Sequence, residues 1–304
     1  MTRLCGLVAG VLLALAAGAA GVAAQCRPGR PAELAVTRLG NVPLVTVRVN
    51  GAPATFLADT GAERTILSIA AAKRLGVAAH YEYARRMRSL GAAVSSGDAR
   101  LRSLGLGSAT LTDFRVLVGS VSLPSAGGKP LDGLLGADFL GSFEVEIDLP
   151  QDRLVLYEKP PCPISAPPWR EPYIAISANR SLHDRLFFPV SLDGHRLAAL
   201  IDTGAQLTAL DAEAAAAAGV TGSALARDPS ANLRGAAAET VKSRAHRFNR
   251  LDIGGEVVRD PVIVVAALGL QDADLVLGAD FLRTRRAWLS YGSHRIFLSR
   301  LSRP

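Results

Sequence analysis

Hydrophobic and polar positions follow the same order in two separate parts of the chain. Residues 43–49 and 188–192 largely alternate apolar and polar side chains, as half-buried strands do, and each run leads into a turn signal, Asn50-Gly51 or Asp193-Gly194. A second apolar run follows each turn and ends at an aspartate. We therefore predict two similar β-hairpins, one in each half of the chain.

The similarity continues beyond the hairpins. Both second strands end in the tetrapeptide Asp-Thr-Gly-Ala, at residues 59–62 and 202–205. An alanine-containing stretch follows each copy, at 68–75 and 211–218, and a Gly-Val pair ends it. This composition with a glycine stop predicts a short helix in each half.

Further along, a seven-residue apolar element is also written twice. Residues 134–140 read LLGADFL and residues 276–282 read VLGADFL, and their distances from the preceding tetrapeptide agree to within one residue. A predicted hairpin closes each copy, at 143–157 and 287–298. The chain therefore contains an internal duplication that reaches from the first hairpin to the last strand.

A proline-rich segment separates the two copies. Residues 159–172 contain six prolines, a density that favours an extended connector over sheet pairing. We predict an N-terminal lobe at 25–158 and a C-terminal lobe at 173–304, joined by this linker. With 304 residues and 49% hydrophobic content, the chain is long enough for two cores, and its composition excludes a disordered protein.

The first 24 residues predict a secretory signal peptide. Arg3 precedes an apolar run, and Val22-Ala23-Ala24 provides a small-residue cleavage site. The alternatives are an uncleaved anchor, because about twenty apolar residues can span a bilayer, and a lipoprotein attached at Cys26. We expect cleavage after Ala24, a periplasmic or secreted protein, and no stable membrane insertion afterwards.

Two cysteines remain in the predicted mature chain. These are Cys26 and Cys162, which an oxidising compartment would allow to bond, and such a disulfide would pin both ends of the first lobe.

Histidine spacing and charge limit the possible cofactors and partners. The five histidines lack the spacing of helical metal ligands, so we expect no metal and no other cofactor. The net charge of +7 is spread along the chain, which together with export argues against a nucleic-acid partner and leaves acidic substrates or an anionic membrane face.

The paired aspartates, Asp59 and Asp202, point to acid–base chemistry. Carboxylates held within about 3 Å of each other cannot both ionise, so they share one proton. One then acts as general base on a bound water and the other as general acid toward a peptide carbonyl. Backbone N–H groups can approach the carboxylates at the glycines, and the threonines can hydrogen-bond across a two-fold axis. The supporting residues are Thr60, Gly61, Ala62, Thr203, Gly204 and Ala205.

These duplicated motifs resemble the retropepsin-like aspartic proteases of clan AA, in the single-chain, two-lobed form of bacteria; this family is also the usual example of a proton-sharing carboxylate pair. The resemblance covers roughly residues 40–158 and 186–299. It implies an all-β acid-protease fold of two closed or partly open β-barrel lobes with short helices, related by a pseudo-two-fold. It also implies a ψ-shaped crossing of the LLG and VLG elements beneath the catalytic loops, polypeptide substrates, and an active monomer that contains its own pseudo-dimer.

The family further implies flaps, hairpins that close over the substrate. The candidates are 88–100 and 233–242, which carry Gly91-Ala92 and Gly235-Ala236 at matching distances from the two aspartates. The repeated glycine is the reason to single out these two segments among the chain's hairpins.

Two further pairs of residues carry expectations of their own. Ala62 and Ala205 stand where pepsin-type enzymes have a serine or threonine donor, so the pKa values of the dyad should be raised and activity should favour mildly acidic to neutral pH. Asp138 and Asp280, although duplicated, are expected to cap the short helices that follow the ψ crossing.

Three functions remain open from the sequence. The first is an aspartic endopeptidase that activates water between Asp59 and Asp202. The second is a non-catalytic peptide-binding module that keeps the fold, since a fold does not fix a function. The third is a peptidase restricted to one partner or to its own propeptide.

Overall fold

The computed structural model describes residues 26–89, 92–120, 125–126, 129–234, 240–270 and 272–300. The strands of the first half are β1 (Pro31–Ala35), β2 (Thr37–Leu39), β3 (Val42–Val49), β4 (Ala52–Ala58), β5 (Ile66–Ser68), β6 (Ala79–Ser89), β7 (Ala92–Leu106), β8 (Ala109–Gly119), β9 (Ser125–Ala126), β10 (Lys129–Pro130), β11 (Gly133–Leu135), β12 (Phe143–Asp148) and β13 (Arg153–Glu158). Those of the second half are β14 (Tyr173–Ser177), β15 (Asn179–Arg180), β16 (Leu186–Leu192), β17 (His195–Ile201), β18 (Ala209–Asp211), β19 (Ser230–Arg234), β20 (Thr240–Arg247), β21 (Arg250–Ile253), β22 (Glu256–Arg259), β23 (Val262–Ala266), β24 (Leu275–Leu277), β25 (Arg286–Ser290) and β26 (Arg295–Ser299). The helices are α1 (Ile69–Arg74), α2 (Ala137–Leu140), α3 (Ala212–Ala217), α4 (Gly222–Arg227) and α5 (Ala279–Leu282), and a 3₁₀ turn spans Leu149–Gln151.

The strands of the first half close into a barrel. Their order is β2-β3-β4-β11-β5-β8-β7-β6, and an additional pairing of β3 with β7 joins six of them into a ring. Apolar side chains of the ring strands point inward, and Val47, Leu104 and Val116 are fully buried there. Alternation of apolar and polar positions thus yields a filled barrel interior.

The second half repeats this barrel in a more open form. The order β16-β17-β24-β18-β23-β20 matches the ring of the first half, but the counterpart of β7 is split into β20 and β21, and that of β8 into β22 and β23. The pairing of β16 with β21 takes the place of the pairing of β3 with β7. The expected all-β fold of two closed or partly open barrel lobes is confirmed.

Both predicted turn signals sit in the predicted hairpins. β3 pairs with β4 and β16 with β17, each around a two-residue turn. The turn residues Asn50 (φ 51°) and Gly51 (φ 91°), like Asp193 (φ 47°) and Gly194 (φ 87°), adopt the left-handed conformation that such turns require and that these residue types tolerate. The predicted short helices are present as α1 and α3.

A six-stranded sheet joins the two lobes. Its order is β1-β13-β12-β25-β26-β14, so each lobe contributes its closing hairpin, and β12 pairs antiparallel with β25. The sequence predicted both hairpins but not their pairing. The linker, residues 159–172, contains no strand or helix and leads from β13 to β14. Continuous backbone hydrogen bonding across β12 and β25 holds the lobes in one fixed relation.

One face of this shared sheet carries buried carboxylates beside arginines. Glu146 accepts hydrogen bonds from Tyr157 Oη (2.9 Å) and from Arg286 Nε (3.1 Å). Asp148 faces Arg286 Nε at 3.3 Å and Arg153 Nη2 at 3.0 Å, and both carboxylates are almost fully buried. These ion pairs bridge β12 of the first lobe to β25 of the second, so side chains reinforce the backbone joint.

Cys26 and Cys162 form a disulfide, with their Cα atoms 5.8 Å apart. Cys26 precedes β1 and Cys162 lies in the linker after β13, so the bond closes the two ends of the first lobe. The predicted signal peptide lies outside the described residues. Within the described ranges, no helix combines the length and the apolar character needed to cross a membrane.

Candidate active site

The crossing strands of each lobe deliver one aspartate to the interface between the lobes. β11 lies between β4, to which it runs parallel, and β5, to which it runs antiparallel, and β24 lies in the same way between β17 and β18. At the ends of β4 and β17, the backbone N–H groups of Asp59 and Asp202 each donate to a carbonyl of the crossing strand at 3.0 Å. The expected ψ-shaped crossing is confirmed in both lobes.

Each aspartate is held by the backbone of its own tetrapeptide. Oδ1 of Asp59 accepts hydrogen bonds from the N–H groups of Gly61 (3.0 Å) and Ala62 (2.9 Å). Oδ1 of Asp202 accepts in the same way from the two residues at the matching positions, at 2.8 and 3.1 Å. The two carboxyl groups are close enough for each to shift the pKa of the other. The inner oxygens are therefore fixed, and the carboxyl groups share one site.

The threonines lock the two loops together across the pseudo-two-fold. The N–H of Thr60 donates to Thr203 Oγ1 and the N–H of Thr203 donates to Thr60 Oγ1, both at 3.1 Å. Their hydroxyls donate to the carbonyls of Ile201 (2.8 Å) and Ala58 (2.6 Å) in the opposite lobe. Both threonines are buried, so these bonds are shielded from water and set the spacing of the aspartates.

The environment raises the pKa of both aspartates. Burial raises the pKa of Asp59 well above its usual range, and the adjacent charge of Asp202 raises it further. Burial also raises the pKa of Asp202, but the hydrogen bond from Asp59, the two backbone N–H groups and the guanidinium of Arg185 act to lower it. The pair is therefore poised for one carboxyl to stay protonated while the other is ionised.

The glycines of the tetrapeptides leave room for the opposite carboxyl group. A Cβ built on Gly204 would lie 2.5 Å from Asp59 Cγ, and one built on Gly61 would overlap the Asp202 carboxyl as closely. We expect Gly61→Ala or Gly204→Ala to displace the carboxylates and lower kcat/KM by at least about 100-fold. Peptide hydrolysis under identical conditions measures this.

The matched control for these variants is Gly222→Ala, because an added Cβ there meets no atom within 4 Å. It should keep the wild-type kcat/KM. Wild-type activity in Gly61→Ala would show that the two carboxyl groups do not pack against the opposite loops.

The expectation that Asp138 and Asp280 cap the short helices holds only in part. Each accepts one backbone N–H of the first helical turn, from Phe139 at 2.9 Å and Phe281 at 2.8 Å, but neither occupies the N-cap position. The residues at the N-cap positions of α2 and α5 are Gly136 and Gly278, because both aspartates lie inside the helices. Oδ1 of Asp138 also accepts from the N–H and Oγ1 of Thr65, at 2.8 and 2.7 Å. Asp280 accepts from a threonine hydroxyl of the second lobe in the same way. These carboxylates therefore tie the ψ crossing to the loop that follows the aspartate of each tetrapeptide.

Two contacts between the lobes flank the aspartates and were missed from the sequence. Gln206 accepts from the N–H of Asn41 at 2.9 Å. On the other side, Glu63 contacts Arg185 Nη2 at 2.6 Å and His183 Nδ1 at 3.3 Å. Glu63 and Gln206 occupy the same position, four residues after their aspartates, and this shared position was the available signal. The sequence around their partners carries no such signal, because each partner belongs to the opposite lobe.

The two flap candidates fall at hairpins whose tips lie outside the described residues. β6 pairs with β7 and β19 with β20 as antiparallel hairpins. Gly91, Gly235 and Ala236 lie outside the described residues, and Ala92 begins β7. That these hairpins close over a substrate stays a prediction. Among the described residues, no group of three or more His, Cys, Asp or Glu side chains could hold a metal ion.

Comparison with known proteins agrees with this geometry. The model of a family described as aspartyl protease matches residues 45–139 and 188–281, one copy in each lobe. The fold is similar to the solved structure of an aspartic proteinase from Irpex lacteus, with a TM-score of 0.52 and 16% identity, covering 90% of this chain and 98% of that chain. A comparison with curated proteins gives no match. The chain belongs to the aspartyl protease family, with both of the family's repeats in one polypeptide.

Proposed function

We propose that the mature protein is an aspartic endopeptidase in which Asp59 and Asp202 together activate a water molecule. The observation that carries this proposal is the symmetric cradle, in which each carboxyl group accepts two backbone N–H groups of its own loop and packs against the glycine of the opposite loop. Thr60 and Thr203 set the spacing of the pair through bonds that cross the lobe interface. Positioned carboxyl groups that share one proton can perform general acid and general base catalysis at once.

The reaction needs only these two groups and water. The ionised carboxylate takes a proton from water as its oxygen attacks the peptide carbonyl carbon, and the protonated carboxyl donates its proton to the carbonyl oxygen. When the gem-diol intermediate collapses, the C–N bond breaks and the leaving amine takes the proton held by the dyad, while one hydroxyl of the intermediate returns its proton to the ionised carboxylate as the C=O bond reforms. The pair then returns to its starting state with a single shared proton.

Digestion of a peptide library by the mature protein tests this function. We expect cleavage within peptide chains that a pepstatin-type inhibitor blocks. Cleavage products identified by mass spectrometry would also define the preferred side chains around the cleaved bond. Binding of peptides without cleavage would refute the endopeptidase and support the peptide-binding module.

The pH dependence of the activity follows from the raised pKa values. Asp59 must keep its proton to act as part of the pair, and its raised pKa extends the protonated form to higher pH than for an ordinary aspartate. Among the described residues, no side-chain hydroxyl donates to either carboxyl group, in keeping with Ala62 and Ala205 in the motif. We therefore expect the pH–rate profile to peak at mildly acidic to neutral pH. A strongly acidic optimum like that of gastric enzymes would contradict this.

We also propose that the protein works in the periplasm or outside the cell as a monomer. The Cys26–Cys162 disulfide supports an oxidising compartment, since such bonds are rare in the cytoplasm. Two lobes in one chain support a monomer, because each lobe already meets its partner through the six-stranded sheet. Bacterial origin stays a prediction from the resemblance.

A further inference from the structure

When the strand registers are extended past the strand ends, different residues fall opposite the two aspartates. In the second lobe, Phe187 pairs with Leu200, and continuing this antiparallel register by two positions puts Arg185 opposite Asp202. In the first lobe, Leu44 pairs with Leu57, and the same count puts Val42 opposite Asp59. Residues opposite each other on antiparallel strands have Cβ atoms about 4.5–5.5 Å apart. The pseudo-symmetric pair therefore has a cation on one side and an aliphatic side chain on the other.

The arginine side chain is held in place. Its exposed fraction is 15%, and Nη2 lies 2.6 Å from Glu63 Oε1 and 3.2 Å from Asp272 Oδ2. The guanidinium also lies 5.1 Å from the ring centroid of Phe187. A buried nitrogen of this group, Nε, has no hydrogen-bond partner within the described part of the chain. Contacts from both lobes thus fix the charge near Asp202.

The other groups around the pair can be named. Asp59 and Asp202 face each other, and the carboxylates of Glu63 and Asp272, with His183 beside Glu63, surround the guanidinium. On the opposite side of the pseudo-two-fold, Asn41 and Gln206 form a neutral contact. The described charges near the dyad are therefore concentrated on the side of Asp202.

We propose that Arg185 is a positioning residue that makes the dyad asymmetric by holding the negative charge on Asp202, so that Asp202 acts as the base toward water and Asp59 as the acid toward the carbonyl oxygen. This inference rests on the proposed peptidase function. The electrostatics agree, since the guanidinium lowers the pKa of Asp202, while the pKa of Asp59, whose matching position in the extended register holds Val42, is raised well above its usual range. Without the cation, the two carboxyl groups would compete more evenly for the charge.

The test is the pH dependence of kcat/KM in Arg185→Met, which removes the charge and keeps an unbranched apolar stem. Loss of the cation raises the pKa of Asp202, so the base becomes protonated at higher pH. We expect the acidic limb of the profile to move to higher pH, with a loss of about tenfold in kcat/KM one pH unit below the wild-type optimum and much less change above it. Arg185→Lys should restore the acidic limb.

Arg180→Met is the matched control, because Arg180 pairs with Asp184 at the surface of the same lobe. Its profile should coincide with that of the wild type. Glu63→Gln shows whether Arg185 acts through its charge or only through its contact between the lobes. Removing the acidic partner strengthens the influence of Arg185, so the acidic limb should move to lower pH, opposite to Arg185→Met. Equal losses at every pH in both variants would overturn the proposal.

Carbon-13 NMR of labelled aspartate carboxyl groups keeps the inference testable if the protein hydrolyses no peptide. The Asp59→Asn and Asp202→Asn variants assign the two signals. In the wild type, the Asp202 signal should titrate at lower pH than the Asp59 signal, and Arg185→Met should narrow the difference. A wild type without turnover that still shows this order would refute the peptidase alone, whereas the reverse order in an active enzyme would refute the role of Arg185 alone.

Discussion

Asparagine at position 59 or 202 is expected to lower kcat by at least about 1,000-fold while the fold is retained. Asparagine keeps the shape of the side chain and one oxygen that can accept the backbone N–H groups of the tetrapeptide. It cannot take a proton from water or donate a carboxyl proton, and positioned proton transfer contributes about 10²–10⁴ for each group. Hydrolysis of a peptide found by library digestion, measured at the wild-type optimum, checks this.

The same variants should be at least as stable as the wild type at neutral pH. Folding raises the pKa of both aspartates, so the folded state binds protons more tightly than the unfolded chain. This lowers the free energy of unfolding at neutral pH. The loss is absent at pH values below the pKa that the aspartates have in the unfolded chain, and it is complete above the pKa that they have in the folded protein. Removing one carboxyl group removes part of this penalty, which thermal unfolding measures. Inactivity that came with a large fall in Tm would indicate misfolding instead of lost chemistry.

Asp193→Asn is the matched control for the dyad variants. Asp193 is the first turn residue of the β16–β17 hairpin, and the corresponding residue of the first lobe is Asn50. Asparagine is therefore already compatible with this turn. Activity close to the wild type is expected. A loss comparable to that of Asp202→Asn would contradict the claim that activity depends specifically on Asp59 and Asp202.

Arg286→Ala is expected to destabilise the protein by about 3 kcal/mol. This arginine lies 3.1 Å from Glu146 and 3.3 Å from Asp148, and both carboxylates are nearly fully buried. Removing one partner of a buried ion pair typically costs about 3–5 kcal/mol, and we expect the lower end because Arg153 still pairs with both carboxylates. Its guanidinium also lies 4.8 Å from the ring centroid of Trp169 in the linker, so that contact is lost as well. Urea unfolding monitored by tryptophan fluorescence measures the change.

The exposed pair between Arg38 and Asp152 supplies the control, because their side chains are 39% and 46% exposed. Arg38→Ala should change the free energy of unfolding by less than about 1 kcal/mol. Equal effects of the two substitutions would contradict the view that buried ion pairs reinforce the joint between the lobes.

Local features of the fold could be predicted because their causes lie close together in the sequence. Asn50-Gly51 and Asp193-Gly194 tolerate the left-handed conformation of a two-residue turn, and the alternation around them fixes the strands. The crossing strands could be predicted because the LLG and VLG elements recur at almost the same distance from the two tetrapeptides.

Contacts between distant segments could not be predicted in the same way. The pairing of β12 with β25 depends on how the lobes meet, and neither hairpin carries a signal for it. The break between β20 and β21 has no counterpart in β7, and α4 has none in the first lobe. The role of Asp138 could be predicted only in part, because its carboxylate accepts both from the helix start and from Thr65, six residues after Asp59, and only the folded arrangement shows the second contact.

The same limit applies to the candidate site. Its inner parts, Asp59 and Asp202 with their glycines and threonines, are contiguous tetrapeptides and could be recognised together. Arg185 stands 17 residues before Asp202 and reaches the site through strand register and a contact with Glu63 of the other lobe. Tertiary packing alone brings these charges together.

Mixing the Asp59→Asn and Asp202→Asn variants tests most directly whether both aspartates of one chain form one catalytic pair. If they do, each variant is inactive alone and the equimolar mixture is equally inactive, because no chain contains two intact carboxyl groups. Activity in the mixture would show that lobes from different chains assemble the site. Activity in either variant alone would show that its substituted aspartate is not needed, and each of these results would contradict the account.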